Sequence, residues 1–355
     1  MKIFVLFDEL LKRKGSDLHL SIGYPPLGRV KGELAPLREG VVTDDEMEQL
    51  LLGLTSGEQR EQILNEKDLD FAYSYGDKAR FRANYFYKSS GLAAVFRTIP
   101  TEILTLEQLG SPPIIKKLAE RRSGLLLVTG PTGSGKSTTL AGMIRHINET
   151  RACHILTIED PIEFVHTSLK AHVTHREVGP DASSFTAAIR SAGREDPDVI
   201  LIGELRNNET MKLALQLASF GVLVFGTVHT NSAPATIDRM VNAFGADEQP
   251  QIRGMLAEGL VGIVAQQLLK TADGKGRVAV QEILIATSGV AALIRENKTF
   301  QIPSLMQASQ GVGMQTMDMA LERLVLQNTI TFEAGLEKAS DKESFEKRVR
   351  AAQLA

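Results

Sequence analysis

The chain has 355 residues, which is enough for two domains of ordinary size. Its hydrophobic fraction of 43% and charged fraction of 23% are typical of a globular protein, and a formal net charge of −3 gives no reason to expect direct binding of nucleic acid. The single cysteine excludes a disulfide framework and a cysteine-based zinc site.

The ends and apolar stretches of the chain do not predict a membrane span. The apolar start is too short for the hydrophobic region of a signal peptide, because Asp8 and Glu9 interrupt it. The longest weakly polar stretch, Val278 to Ile294, contains Gln281 and Glu282 and falls short of a span of roughly 20 residues. We therefore expect a cytoplasmic protein, with any membrane association made through a partner.

Residues 1–98 are expected to form a small mixed domain. A short amphipathic helix at Phe4 to Lys14 and a strand at Asp17 to Ile22 come first, and capping patterns at Thr43 and Ser56 each open a further helix. Three β-like runs separated by turn residues follow, over residues 69–75, 79–87 and 92–99. The pattern predicts an antiparallel sheet with helices on one side.

The second part of the chain has a different pattern of apolar runs and helical segments. Pro100 and the Pro112-Pro113 pair bracket a predicted linker, residues 99–113, and residues 114–355 are expected to form the second domain. Apolar runs there alternate with helical segments, which predicts a parallel sheet covered on both faces. The strand-like runs are residues 125–128, 154–158, 199–202, 222–228 and, in an otherwise helical tail after about residue 249, 278–286.

A glycine-rich loop follows the first of these runs and reads Gly130-Pro131-Thr132-Gly133-Ser134-Gly135-Lys136-Ser137, with Thr138 next. It has the pattern G-x-x-x-x-G-K-S/T between an apolar strand and a helix-compatible segment. The glycines let backbone N–H groups cradle phosphate oxygens, and the following helix points its positive end at the same anion. Lys136 is expected to bind the β- and γ-phosphates, and the Ser137 hydroxyl is expected to bind Mg²⁺. The motif predicts hydrolysis of a nucleoside triphosphate, for which we expect ATP.

Acidic residues at the ends of two strand-like runs are candidates for the chemistry. The run Val199 to Ile202 ends in Gly203-Glu204, at the kind of strand end where ligands bind in open α/β sheets. Glu204 is the candidate for orienting the attacking water, with a role at Mg²⁺ through water. A solvated acid at the start of a helix is the alternative.

Three further acids and a histidine follow neighbouring runs. Glu163 is the candidate second acid near the nucleotide, whereas Glu159 and Asp160 are expected to be structural or to cap. His229 follows the run Val222 to Val228 and is expected at the same sheet edge, although a lone histidine is more often structural. No convincing metal spacing joins the other histidines of this region, which are read as surface or core residues: His166, His172 and His175.

Taken together, these residues resemble the secretion-type hexameric ATPases of type II secretion and type IV pili, and among them the PilT-type retraction ATPases. The resemblance covers nearly the whole chain. Its segments are Ser16 to Leu20, Arg97 to Pro100, the glycine-rich loop, Ile158 to Glu163, Arg194 to Asp198 with Gly203-Glu204, Gly226 to Ala233 and Gly313 to Asp318.

The resemblance implies an α/β protein with an N-terminal PAS-like α+β domain and a RecA-like P-loop ATPase domain that has a helical C-terminal region. It implies a homohexamer that binds ATP and Mg²⁺ between the two domains and acts on an inner-membrane pilus platform protein. It makes Glu204 the Walker B acid and Glu163 the acid of the Asp box, and it places His229 near the γ-phosphate.

The same resemblance assigns two arginines of the first domain. Arg82 and Arg97 match the family's arginine fingers, which neutralise charge that develops on the phosphates. Without the resemblance, arginines on an edge strand would be interpreted as a solvated face that discourages aggregation.

Several functional alternatives stay open at this point. The family's C-terminal motif A-I-R-N-L-I-R-E is reduced here to Leu293-Ile294-Arg295-Glu296, so an accessory PilU-type paralogue stands beside the main retraction motor. Extension and secretion ATPases usually carry a longer N-terminal region and a four-cysteine insert. The single cysteine of this chain argues against them. The acidic pI of about 6.2 weakens a nucleic-acid translocase, and the complete set of acids and arginines argues against a scaffold without turnover.

Overall fold

Two compact units make up the chain, Met1–Glu102 and Ile103–Ala355. They are seen in a computed structural model that describes residues 3–76, 78–99 and 102–354. Each unit has its own β-sheet and its own hydrophobic core.

Six strands form one sheet in the described part of the first unit: β1 (Asp17–Ser21), β2 (Leu27–Val30), β3 (Glu33–Pro36), β4 (Asp68–Tyr75), β5 (Ala79–Lys88) and β6 (Gly91–Ile99). Their order is β3-β2-β1-β6-β5-β4, and neighbouring strands pair antiparallel, as predicted. The sequence did not predict β2 and β3, because each has four residues and contains a glycine or a proline, which are poor strand residues.

Among the described residues of this unit, three helices accompany the sheet: α1 (Ile3–Lys12), α2 (Asp44–Leu54) and α3 (Gly57–Glu66). Both predicted capping boxes are confirmed, because Thr43 and Ser56 each accept a hydrogen bond from the backbone N–H three residues later. The Phe7 ring of α1 stacks on the Phe81 ring, with 4.1 Å between the ring centroids. It packs edge-on against the Phe96 ring, with 5.2 Å between the centroids. Aromatic burial of this kind anchors the helix to the sheet.

Seven strands form the sheet in the described part of the second unit: β7 (Gly124–Thr129), β8 (His154–Glu159), β9 (His172–Glu177), β10 (Val199–Ile202), β11 (Leu223–Val228), β12 (Leu260–Lys270) and β13 (Arg277–Ile285). The order is β13-β12-β7-β11-β10-β8-β9. All pairs are parallel except β12 with β13, which is antiparallel. The predicted parallel sheet is confirmed.

The helices of the second unit are α4 (Pro113–Ala119), α5 (Lys136–Thr150), α6 (Phe185–Ala192), α7 (Asn208–Ser219), α8 (Ala233–Asn242), α9 (Gln249–Gly259), α10 (Ser288–Arg295), α11 (Ile302–Ala308), α12 (Met317–Leu326), α13 (Phe332–Lys338) and α14 (Lys342–Leu354). Two short 3₁₀ turns lie at Thr299–Gln301 and Gln310–Val312. Over the described residues, no helix has both the length and the apolar character that crossing a membrane requires.

Alternate residues of β7 enter two different cores, which shows that helices cover both faces of the sheet. Leu126 and Val128 pack with residues of α4 and α5, while Leu125 and Leu127 pack with residues of α6 to α11. All four side chains are fully buried. A strand that is buried on both faces has no polar alternation, which is why its sequence is a continuous apolar run.

Strand β12 is the main element that the sequence misassigned, since its residues were expected to be helical. Its first half, Leu260 to Ala265, is continuously apolar, and such a run is compatible with either a buried helix or a buried strand. The edge strand β9 was also missed, because its sequence HVTHRE is largely polar.

The predicted linker is too long at its C-terminal side. Pro100, where it was expected to open, lies outside the described residues, but residues 103–113 belong to the second unit. Leu106 there is only 4% exposed and joins the core beside α5, and Arg145 of α5 donates to the Ile103 carbonyl. Prolines at the two ends of a segment indicate breaks in regular structure, but they do not show whether the segment packs.

Candidate active site

The parallel strands place four chemically active segments at one edge of the second sheet. Strands β7, β11, β10 and β8 are neighbours, and each is followed by one of the predicted segments. The phosphate-binding loop (residues 130–137) follows β7, and the acidic segment with Glu163 follows β8. Glu204 follows β10, and His229 follows β11. Because carboxyl ends of parallel strands meet at the same edge, the sheet brings these residues to one site.

The phosphate-binding loop depends on three glycines with positive φ. Gly130, Gly133 and Gly135 have φ angles of +144°, +79° and +84°, which residues with a Cβ rarely adopt. Helix α5 begins at Lys136, and no side chain caps it. The first backbone N–H groups of a helix that has no cap are available to an anion, and the helix dipole attracts it.

Lys136 is buried inside this loop, where its ammonium binds backbone carbonyls. Lys136 is only 9% exposed. Its Nζ donates to the carbonyl oxygens of Gly130 at 2.9 Å and Pro131 at 3.1 Å. Burial lowers the pKa of Lys136, while the nearby charges of Glu163 and Glu204 act to raise it. The loop carbonyls therefore hold the ammonium in place, and a bound phosphate would replace them as its partner.

The residues present fit a nucleoside triphosphate with magnesium. Ser134 is 3% exposed, and its Oγ has no hydrogen-bond partner among the described residues, so a buried hydroxyl is available within the loop. Ser137 and Thr138 are half-buried hydroxyl residues at the start of α5. Oxygen donors of this kind, together with a carboxylate, are the ligands that Mg²⁺ prefers.

Glu204 lies between two positively chargeable side chains. Its Oε2 accepts a hydrogen bond from Arg206 Nε at 2.8 Å, and its Oε1 is 3.4 Å from His229 Nε2. The hydrogen bond that Arg206 donates to Glu204 raises the pKa of Arg206, and the charges of Glu204 and Asp160 add to this effect. The structure thus brings Glu204 and His229 together and adds Arg206, whose role the sequence did not predict although it stands only two residues after Glu204.

The acidic segment after β8 has one buried and one exposed glutamate. Glu159 is 7% exposed, and its carboxylate accepts a hydrogen bond from the Glu163 N–H at 3.2 Å. The Ile162 N–H donates to Glu177 at 3.1 Å, so this turn is held at two points. Glu163 itself is exposed, and its charge acts on Lys136. The segment therefore combines a buried Glu159, which holds the turn, with an exposed Glu163.

A buried carboxylate that the sequence did not single out anchors the segment after His229. Glu282 of β13 accepts hydrogen bonds from the N–H groups of Ala233 at 2.7 Å and Met317 at 3.1 Å, which open helices α8 and α12. Burial raises the pKa of Glu282, and these two bonds oppose the rise. The signal in the sequence was a polar pair, Gln281-Glu282, inside an apolar strand.

The histidine group of this region forms contacts with the protein itself. His166 is 6% exposed, and burial, with a smaller effect of His175, lowers its pKa to about 4. Nδ1 of His175 is 2.9 Å from the Thr157 hydroxyl. Within the described ranges, no group of three or more potential ligands is arranged to hold a metal ion.

Arg82 and Arg97 of the first unit lie directly opposite each other on β5 and β6. Their side chains are 47% and 70% exposed. Arg82 Nη2 lies 3.4 Å from Asp70 Oδ2, and Arg97 Nε donates to Asp17 Oδ1 at 2.8 Å. Since β5 and β6 are interior strands, the alternative of an edge strand does not apply, and the two arginines form a pair of exposed like charges.

Most of the sequence matches a known family. Residues 65–337 match the family described as "Type II/IV secretion system protein". The chain belongs to this family. The predicted resemblance to secretion-type ATPases and to PilT-type retraction ATPases is confirmed, as is the predicted α/β fold with an N-terminal domain and an ATPase domain.

Individual members of the type II/IV secretion family are similar over most of the chain. A twitching motility protein of Neisseria gonorrhoeae is 50% identical over 319 residues, which is 90% of this chain and 85% of the relative. The type IV pilus retraction ATPase PilT of Pseudomonas aeruginosa is 47% identical over 334 residues, 94% and 97% of the two chains. The crystal structure of the pilus retraction motor PilT with bound ADP superposes with a TM-score of 0.91 at 43% identity, covering 98% of this chain and 99% of that one.

The Gly130→Ala substitution tests the geometry of the loop. A Cβ at this position would lie 2.2 Å from the Gln266 carbonyl oxygen of β12, and φ would remain unfavourable. We expect the loop to distort and the Kd for a fluorescent ADP analogue to rise about tenfold or more, measured by fluorescence titration.

Gly254→Ala is the control for Gly130→Ala, because nothing lies within 4 Å of the added Cβ in helix α9. This variant should bind ADP as the unchanged protein does, since alanine favours a helix. If Gly130→Ala also binds with unchanged Kd, the close approach of β12 does not constrain the loop.

Proposed function

We propose that this chain is an ATPase whose hydrolysis of ATP powers the retraction of type IV pili. The observation that carries the proposal is the buried Lys136 ammonium in a glycine loop, with the charges of Glu163 and Glu204 acting on it. The names of two relatives, a twitching motility protein and a pilus retraction ATPase, support the biological role.

Each residue has a defined task in this proposal. Lys136 and the loop N–H groups bind the phosphates, and the Ser137 hydroxyl and Glu204, through water, hold Mg²⁺, which neutralises phosphate charge when it is bound. Glu204 orients the attacking water, and Glu163 supports it from the neighbouring segment. His229 lies beside Glu204, where it reports on the state of the γ-phosphate.

In this proposal Arg82 and Arg97 add positive charge to that of Lys136 at the phosphates. Two guanidiniums directly opposite on neighbouring strands repel each other, and an anion relieves that repulsion. We propose that the phosphates of ATP are this anion in the assembled protein.

The proposed working form is a homohexamer at the cytoplasmic side of the inner membrane. There it acts on the pilus platform protein, and no nucleic acid takes part. A cycle of ATP binding and product release around a ring provides directed force if the subunits change conformation with nucleotide state.

Glu204→Gln is expected to keep ATP binding and to lower kcat by about 10²–10⁴-fold, because the amide cannot accept a proton from the attacking water. Phosphate release and nucleotide titration measure the two quantities separately. Glu258→Gln, an exposed acid of α9, should leave both unchanged.

The same Glu204→Gln protein, held in its ATP state, is suited to a test of assembly by native mass spectrometry. Six subunits are expected. A monomer with ATP bound would remove the ring from the proposal but leave the ATPase in place.

Arg97→Ala is expected to lower kcat by about 10³-fold, because it removes charge from the transition state. The control is Arg29→Ala, since Arg29 also faces Asp17, at 3.9 Å, and its loss perturbs the same carboxylate without removing Arg97. Equal effects of the two substitutions would assign the loss to Asp17 instead of to the phosphates.

Deletion of the gene should leave cells with surface pili that no longer retract, observed by fluorescence microscopy of labelled pili. The unchanged gene should restore retraction and a Lys136→Ala copy should not, because the substituted loop cannot hold the phosphates. Loss of the pili would indicate an extension ATPase, and continued retraction would indicate an accessory paralogue.

A further inference from the structure

Gln266 is a buried polar residue of β12 that the proposed chemistry does not use. Ala265 pairs with Thr129, the last residue of β7, so Gln266 lies beside the first residue of the phosphate-binding loop. It is 2% exposed. A buried amide in an apolar strand is costly unless its donors and acceptors are satisfied.

The Gln266 amide is bonded on both of its ends. Nε2 donates to the Ser134 carbonyl of the loop at 2.6 Å. Oε1 accepts from the Thr139 hydroxyl at 2.8 Å and from Gln281 Nε2 at 2.9 Å. One side chain therefore holds the loop, helix α5 and strand β13 at the same time.

The glycines of the loop leave the space that Gln266 requires. A Cβ at Gly135 would lie 3.0 Å from Gln266 Nε2, and a Cβ at Gly130 would lie 2.2 Å from the Gln266 carbonyl oxygen. Two of the three glycines that allow the loop to turn thus also allow β12 to approach it. The loop and Gln266 form a single packed unit.

The bond to Ser134 determines the direction of one loop amide. In a trans peptide the C=O of one residue and the N–H of the next point in opposite directions. Because the Ser134 carbonyl points at Gln266, the Gly135 N–H points away from β12. N–H groups that are oriented in this way are what a glycine loop offers to phosphate oxygens.

The amide chain continues beyond β13 into the C-terminal helices. The Gln281 carbonyl accepts from Gln315 Nε2 at 2.6 Å, and Gln315 Oε1 accepts from Arg323 of α12 at 3.0 Å. The backbone of Gln315 pairs with Ile283 through two further bonds, at 2.8 and 3.1 Å. Gln281 contacts Gln266 through its side-chain amide and Gln315 through its backbone carbonyl, so a displacement of Gln281 alters both bonds.

We propose that Gln266 is a positioning residue that orients the phosphate-binding loop, and that buried amides relay this contact through Gln281 to Gln315. The inference rests on the proposed nucleotide site but not on pilus retraction. It identifies the Gln315 segment, which contains the family-like Gly313 to Asp318 sequence, as part of the support of the loop.

The test uses direct titration of the whole chain with a fluorescent ADP analogue, and steady-state hydrolysis of ATP beside it. Gln266→Met preserves the size of the side chain and removes all three bonds, and Gln266→Glu keeps the acceptor but loses the donor to Ser134. Both should raise the Kd about tenfold. KM should rise in parallel while kcat changes little, because the loop binds ground state and transition state alike.

Gln267→Met is the matched control. The Gln267 side chain is half-buried and lies on the opposite face of β12 from Gln266, because successive residues of a strand alternate between its faces. It should keep the Kd of the unchanged protein. Gln315→Met should raise the Kd about two- to fivefold. The double variant Gln266→Met with Gln315→Met should raise the Kd by less than the product of the two single increases.

Each outcome decides a defined statement. A Kd of Gln266→Met equal to that of Gln267→Met overturns the positioning role, even if the thermal midpoint falls, because a residue that only supports the fold lowers stability without changing affinity. An unchanged Kd for Gln315→Met, or fully multiplicative effects, overturns the relay. Absence of ADP binding by the unchanged protein contradicts the proposed nucleotide site instead.

Discussion

Parallel pairing of β7, β11, β10 and β8 is the constraint on which the site depends. Parallel strands end at one edge of their sheet, so the loops that follow them converge although they are far apart in the chain. This places Glu204 3.4 Å from His229 and lets Glu163 and Glu204 act on the charge of Lys136. The polar residues themselves contribute little to this arrangement, since the apolar strands beneath them supply the stability of the sheet.

The conformation of the phosphate-binding loop depends on a neighbouring strand as well as on its own glycines. Strand β12 supports the loop by pairing with β7 and by approaching Gly130 and Gly135 closely. Its partner β13 bonds Glu282 to the starts of α8 and α12, so the segment after His229 is held from the same side. Two buried polar residues in one pair of strands thus serve the two halves of the site, and each is tolerated inside the protein because its hydrogen bonds are made.

The first unit meets a different physical demand. Its sheet brings Arg82 and Arg97 opposite each other with their side chains largely exposed, while Asp70 and Asp17 offset part of the repulsion. Such a pair has little value for stability, because exposed ion pairs contribute little. We propose that its value lies in binding an anion, which agrees with membership of the type II/IV secretion family and with the proposed ATPase activity.

Local patterns in the sequence determined the capping boxes at Thr43 and Ser56, the buried strands before the loop and before Glu204, and the loop itself, because each depends on neighbours in the chain. The family resemblance added roles for His229 and the arginines that no local pattern carries. Only the tertiary structure decided that Leu260 to Lys270 is a strand, that Arg206 pairs with Glu204 and that Gln266 bonds to the loop. Those features depend on residues distant in sequence, and a continuous apolar run does not reveal its partner until the sheet has formed.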